Sequence, residues 1–187
     1  MFDRKAPVRP NGEDLAQLTI TDARVGDALS ILGAGADFED LDFTVDRLDQ
    51  LESGSRRWLE LSGTWRSCRV YLEVHNDGTP EVLGNFTGRS LTLDELGLSE
   101  EDLAEMDARQ NQSDFFDYNG KFWLYRASRE VGIFRSPNGL GQGFYCWSFQ
   151  QQDSKYFLSI RKFKGEPFVA SLWTRIEPAD ITVYRGT

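Results

Sequence analysis

Apolar and polar residues alternate through the middle of the sequence, and this period of two is the feature that most constrains the fold. In RWLEL at residues 57–61 and RVYLEVH at residues 69–75, every second residue is aliphatic. Alternation of this kind is typical of strands with one buried face. Asn76-Asp77-Gly78 follows directly, and Asp-Gly tolerates the positive φ of a tight hairpin turn. These residues therefore predict antiparallel hairpins.

The second half of the chain repeats the pattern. Its apolar runs are rich in aromatic and β-branched residues, which pack well on a pleated surface, and turn-forming groups such as Asn-Gly and Lys-Gly-Glu separate them. The runs are DFFDYNGKFWLYRA, EVGIFR, FYCWSFQQQ, KYFLSIRKF, EPFVASLWTRI and ITVY. Roughly ten short strands in all predict a mainly β, antiparallel fold, either a strongly curved sheet, a partly open barrel or a sandwich.

One segment, residues 92–109, interrupts the β pattern. Thr92 with Glu95, and Ser99 with Asp102, have the spacing of a helix N-cap and the acidic residue three positions later. A glycine separates the two motifs, which favours a short helical turn followed by a helix over about residues 99–109. We expect one short mid-chain helix that connects two β-rich halves.

The amino terminus has a different composition from the rest of the chain. Residues 1–13 contain two prolines, a glycine and charges of both signs, which predicts a loose leader. Residues 14–187 are then a single β-rich domain or, alternatively, two β subunits joined by the helix near residues 92–109. A chain of 187 residues buries roughly 70% of the surface that it exposes when unfolded, so a stabilising metal or disulfide is not required.

Several features predict a cytoplasmic protein. The first residues lack the apolar core of a signal peptide, and no run approaches the roughly 18 apolar residues of a membrane span, so direct membrane insertion is not expected. Cys68 and Cys146 are far apart and belong to no Cys-x-x-Cys pair, as expected for reduced thiols. The formal charge of −9 repels phosphate backbones, so nucleic acid is not an expected partner either.

The reactive residue types predict neither a catalytic centre nor a metal or cofactor site. His75 is the only histidine, and it precedes a hairpin turn on the face opposite the aliphatic residues, which favours an exposed strand-end position. Cys146 has no neighbouring cation in sequence to lower its pKa and is interpreted as a small core residue. Cys68, near Arg66 and Arg69, has the more electropositive setting. The acidic runs lack the glycine turn of a calcium loop and are interpreted as solvated faces.

A glycine-rich stretch, SPNGLGQG at residues 136–143, precedes an aromatic strand. Its spacing matches neither the Walker loop nor the dinucleotide-binding fingerprint, and no helix follows to hold a phosphate. It also lacks the Gly-x-Ser-x-Gly of a nucleophile elbow. We interpret it as a connector that can act as a lid over a small-ligand pocket.

Segments spread over most of the chain resemble the bacterial domain-of-unknown-function family 4178. They are RVGDALSIL, RWLELSG, RVYLEVHNDG and the long carboxy-terminal stretch from YCWSFQQQ to ITVY. Ser148 and Arg161 stand where acidic residues occur in relatives, so no functional site is carried over from the family. The resemblance implies a β-rich cytosolic module of bacteria, linked to membrane-associated or stress systems.

Two functions are compatible with these features. The first is a non-enzymatic binding or scaffolding module that engages a protein partner, because parity cannot assign Trp123, Tyr125, Tyr145, Trp147 and Trp173 to one core face. The alternative is a small-molecule-binding protein or enzyme with a pocket at the open end of the barrel. The candidate ligand-binding residues of such a pocket are Arg126, Tyr145, Trp147, Arg161 and Glu166.

Overall fold

A computed structural model describes residues 18–135, 139 and 141–186. The predicted leader and half of the glycine-rich connector, residues 136–138 and 140, lie outside these described residues. The strands are β1 Ala28–Ile31, β2 Leu41–Thr44, β3 Arg47–Ser53, β4 Arg56–Trp65, β5 Cys68–Asn76, β6 Pro80–Asn85, β7 Phe115–Tyr118, β8 Lys121–Phe134, β9 Gln142–Gln151, β10 Tyr156–Phe163, β11 Phe168–Ile176 and β12 Ile181–Tyr184. Two helices, α1 Leu93–Leu96 and α2 Glu100–Arg109, separate β6 from β7.

Eight of these strands form a closed antiparallel barrel. Strands β3 to β6 pair in sequence order as one meander, and β8 to β11 pair as a second meander. Pairing of β6 with β11 and of β3 with β8 closes the barrel, and β7 extends the sheet beyond β8. The mainly β, antiparallel fold predicted from sequence is confirmed, and the curvature goes as far as full closure.

The two meanders meet along short seams. Gln50 to Glu52 of β3 face Phe134 to Gly132 of β8, and the register between β6 and β11 likewise spans three residue pairs, from Val82–Ile176 to Gly84–Thr174. Closure removes the free edges that an open sheet would present. The interior of the barrel, called the lumen below, is therefore bounded by both halves of the chain.

Separate layers cover the two halves of the outer barrel wall. A three-stranded antiparallel sheet in the order β12-β1-β2 packs against the outer face of the first meander. Helices α1 and α2 cover the second meander, where Leu103 and Met106 of α2 join a core of aromatic and aliphatic side chains. These layers bury much of the outer face of the barrel wall, and the inner face surrounds the lumen.

The helices begin where the sequence predicts. Thr92 and Ser99 are N-caps whose hydroxyls accept hydrogen bonds from the backbone amides of Glu95 and Asp102, and both capping boxes are complete. Gly97 ends α1 with a φ of 69°, which a residue with a side chain adopts only at a cost. Neither helix of the described residues has the length and apolarity needed to cross a bilayer.

Candidate ligand-binding cavity

The barrel lumen contains a cavity of about 330 Å³. An eight-stranded barrel has an interior wide enough for side chains or for one small ligand, and ligand cavities commonly measure roughly 300–1,000 Å³. The cavity lies towards the end of the barrel where β5 ends and β6 begins, which is called the mouth below. Its lining comes from both meanders and includes Trp58, His75, Arg129, Phe144, Phe157 and Trp173.

A buried ion network crosses the lumen beneath the cavity. Arg161 of β10 donates from Nη2 to Glu60 Oε2 at 2.9 Å and to Glu73 Oε1 at 2.5 Å. His75 Nε2 lies 3.3 Å from the other oxygen of Glu73. The guanidinium also lies over the rings of Phe144 and Trp173, with Cζ 5.2 and 5.6 Å from the ring centroids. Arg161 thus links the two meanders through its ion pairs with Glu60 and Glu73, and it makes cation–π contacts with two rings of its own meander.

The electrostatics of the network favour the charged forms of Glu73 and Arg161. Burial alone would raise the pKa of the Glu73 carboxyl, but the hydrogen bond with His75 and the charge of Arg161 outweigh it and hold this pKa below its ordinary value. Burial would likewise lower the pKa of the Arg161 guanidinium, whereas Glu60 and Glu73 raise it. Glu73 and Arg161 therefore form a charged pair inside the lumen.

Three carboxylates share one row of the first meander. Asp49 of β3 is directly opposite Glu60 of β4, which in turn is opposite Glu73 of β5. Like charges at directly opposite positions destabilise a sheet. Arg47 Nε lies 3.0 Å from Asp49, and Arg161 approaches the other two carboxylates from the far wall. The first meander depends on the second for part of this charge compensation.

Two of the predicted ligand-binding residues face the lumen. Arg126 and Arg161 both line the cavity, on β8 and β10. Glu166 lies exposed in the turn between β10 and β11, where its carbonyl accepts a hydrogen bond from Lys162. Because β10 runs away from the mouth, this turn is at the opposite end of the barrel. The end of β8 and the start of β9, which flank the glycine-rich connector, lie at that same far end.

Tyr145 and Trp147 lie on the outer face of the barrel, under α2. The Tyr145 hydroxyl donates to Asp107 Oδ1 at 2.7 Å, and Trp147 Nε1 donates to the carbonyl of Leu103 at 3.1 Å. The structure therefore separates these two aromatic residues from Arg126 and Arg161 by the thickness of the barrel wall. Their contacts attach the helix to the second meander.

The face of β4 and β5 that the sequence marks as polar turns out to be the lumen face. Trp58, Glu60, Glu73 and His75 all lie on it, and the rings of Trp58 and His75 stack with centroids 5.2 Å apart. The sequence predicts an exposed position for His75, whereas its side chain is only 30% exposed and lines the cavity. The alternation in the sequence predicts that these four residues share one face. It does not distinguish a face that points to solvent from one that points into a polar lumen.

The two cysteines differ in environment. Cys146 lines the cavity and is buried, and this burial raises the pKa of its thiol. Cys68 is exposed at the start of β5. Among the residues that the structure describes, no group of three or more His, Cys, Asp or Glu side chains could hold a metal ion.

Comparison with known proteins identifies no relative. No protein-family model, curated protein or solved structure matches the chain. The resemblance to family 4178 therefore stays a prediction, and the candidate site rests on its geometry alone.

Proposed function

We propose that the protein binds a small molecule in the lumen of its barrel. The observation that carries this proposal is the cavity of about 330 Å³, which lies above a buried ion network and takes its lining from both meanders. Large concave sites with a few convergent polar groups in an otherwise apolar lining are the usual form of ligand sites. The proposal assigns binding and no reaction.

The burial of the aromatic residues also supports a lumen site over a partner-binding sheet face. Trp123, Tyr125, Trp147 and Trp173 are buried, and Tyr145 is half-buried under α2. Trp173 lines the lumen, and the other four aromatic residues pack in the core that α2 shares with the second meander. They do not form the exposed aromatic face that would motivate a protein-binding module.

A scaffolding role with a protein partner is the second candidate, and it rests on a different surface. Phe115 and Phe122, on the hairpin of β7 and β8, are about half exposed and meet edge to face with centroids 5.2 Å apart. Phenylalanine is among the aromatic residues that are enriched at protein–protein interfaces. A cytoplasmic module of a bacterial stress or membrane-associated system, as the family resemblance implies, is compatible with either role.

A thiol-protection experiment tests the proposed lumen site. A metabolite library is first screened by thermal shift, since a ligand that binds only the native state raises Tm. Each hit is then tested for its effect on the alkylation of Cys146, with the exposed Cys68 as the internal control in the same molecule. A lumen ligand slows alkylation at Cys146 and leaves Cys68 unchanged.

A cavity-filling variant provides the independent check. Ser148→Phe places a bulky ring among the lining residues and is expected to abolish the thermal shift while the variant remains folded by circular dichroism. Full retention of ligand binding by a folded Ser148→Phe protein, or the absence of any hit in the library, would contradict the proposal.

A further inference from the structure

A β-bulge in β8 changes which side chains reach the lumen. Before the bulge Tyr125 is opposite Phe149 of β9, and after it Ala127 is opposite Ser148, so Arg126 is the extra residue. On a regular strand, residues three apart point to opposite faces. Arg126 and Arg129 nevertheless both line the cavity. Bulges that re-aim a side chain occur preferentially beside functional sites.

Arg126 and Arg129 both have guanidinium N–H donors that are not used in ion pairs within the described residues. The Arg126 side chain donates one hydrogen bond, from its Nε to Gln150 Oε1 at 3.2 Å, and no carboxylate of the described residues pairs with its terminal amino groups. The side chain of Arg129 forms no hydrogen bond or ion pair with any residue that the structure describes. Arginine presents a fork of donors that matches the oxygens of carboxylates and phosphates.

The carboxylates that line the cavity either pair with other arginines or are exposed. Glu73 is paired with Arg161, and Glu81 is paired with Arg175. Asp77, the remaining carboxylate of the lining, is exposed in the turn at the mouth. The charges of Arg126 and Arg129 are therefore not compensated by an ion pair within the described residues, and a buried or half-buried cation favours an anionic ligand.

An apolar wall adjoins the two arginines. Leu51, Val131 and Phe144 form one buried cluster with Cys146, and Val131 follows Arg129 on the same face of β8. Trp58, also in this wall, has its Nε1 buried without a hydrogen-bond partner in the described part of the chain. The cavity thus combines a cationic side, an apolar side and one unused N–H donor.

We propose that Arg126 and Arg129 form an anion subsite, and that the lumen ligand is a small organic anion. Its charged group, a carboxylate or a phosphate monoester, lies between the two guanidinium groups, and a compact apolar body packs against Leu51, Val131 and Phe144. This inference rests on the proposed small-molecule function and names the chemical class of its ligand.

Calorimetric titration with three matched probes tests the subsite. Benzoate and phenyl phosphate carry the two candidate anions on the same ring, and benzyl alcohol is their neutral counterpart. Wild-type protein is expected to bind one or both anions and to bind benzyl alcohol much more weakly. The better of the two anions identifies the headgroup.

Variants of the two arginines assign the subsite. Arg126→Gln and Arg129→Gln are each expected to weaken anion binding roughly 10- to 100-fold, the range for loss of a charged hydrogen bond. The lysine variants at both positions keep the charge and are expected to retain part of the affinity. Arg57→Gln is the matched control, because Arg57 is exposed on the opposite face of β4 and pairs there with Glu52.

The outcomes separate this inference from the proposed function. If neither anion binds, or if the anions bind wild type and both glutamine variants equally, the anion subsite is overturned. Protection of Cys146 by neutral or cationic library compounds in that case leaves the lumen as a small-molecule site with a different ligand class. If no compound of any charge binds, both proposals fall together.

Discussion

The two walls of the lumen differ in how their charged side chains are paired. Strands β3 to β5 contribute a row of three carboxylates, Asp49, Glu60 and Glu73, whereas β8 to β10 contribute Arg126, Arg129 and Arg161 to the cavity lining. Of these arginines only Arg161 forms ion pairs across the lumen to that row within the described residues. Glu60 and Glu73 of the first wall are therefore compensated from across the barrel, whereas Asp49 pairs with Arg47 of its own strand. The second wall keeps positive charge available at Arg126 and Arg129.

This difference indicates that neither meander can form the site alone. The carboxylate row is unfavourable without Arg161, and the arginines line a cavity only because the opposite wall encloses it. The seams that hold the two walls together are three residue pairs each. The lumen contacts thus matter both for joining the halves and for shaping the cavity.

Loss of the central cation is expected to have the largest effect. Arg161→Gln leaves Glu60 and Glu73 buried without their shared partner, and breaking one side of a buried pair typically costs about 3–5 kcal/mol. Urea denaturation monitored by circular dichroism measures the change in the free energy of unfolding.

The matched control is an arginine at the rim. Arg175→Gln removes the pair with Glu81, in which both side chains are almost half exposed, and such pairs contribute about 1 kcal/mol or less. Equal destabilisation by the two variants would show that the lumen network has no special role in joining the walls.

Acid should weaken the same junction, with a smaller effect. The pKa of Glu73 is lower in the native protein than its ordinary value of 4.5, so its contribution to stability is complete above that value. The contribution is lost as the pH falls from about 4.5 through the lowered native pKa. Wild type should therefore lose stability in this range more steeply than Glu73→Gln, whose amide does not titrate.

Urea denaturation at a series of pH values from 7 downwards measures this difference. The other acidic groups titrate in both proteins, so the difference between the two curves isolates Glu73. Parallel curves for wild type and Glu73→Gln would contradict the assignment of the lowered pKa to this residue.

The smallest expected effect is on the outer face. Tyr145→Phe removes one hydrogen bond to Asp107, which corresponds to about 1 kcal/mol of stability. Because Tyr145 lies outside the barrel, ligand binding in the lumen should be unchanged, as titration of wild type and variant with the same ligand will show. If the Tyr145→Phe variant bound the ligand more weakly at unchanged stability, Tyr145 would contribute to ligand binding, and this prediction would be wrong.

The sequence predicted only part of the candidate site. The alternation of Cys146 with Tyr145 and Trp147 along β9 was readable from the sequence, and the structure keeps these residues on opposite faces. The sequence did not predict which face of β9 points into the lumen, because large or polar side chains pack both under α2 and in the barrel interior. The sequence-based ligand set consequently mixed residues of both faces.

The alternation of the sequence did not predict the bulge at Arg126. A strict period of two assigns Arg126 and Arg129 to opposite faces, and no glycine or proline marks the irregularity within LYRASRE. The bulge depends on how β8 pairs with β9, which is a tertiary property. The pair of arginines that defines the proposed anion subsite was therefore invisible in the sequence.

By itself the sequence determined the local structure: the strands through their alternation, the hairpins through turn residues such as Asp77-Gly78, and α1 and α2 through their capping boxes. These features depend on residues that are close in the sequence, so the sequence alone is enough to predict them. The tertiary structure alone decided that the sheet closes, that its polar face becomes a lumen and that Arg161 meets Glu60 and Glu73 across it. Such pairings join residues about a hundred positions apart, and no local propensity specifies them.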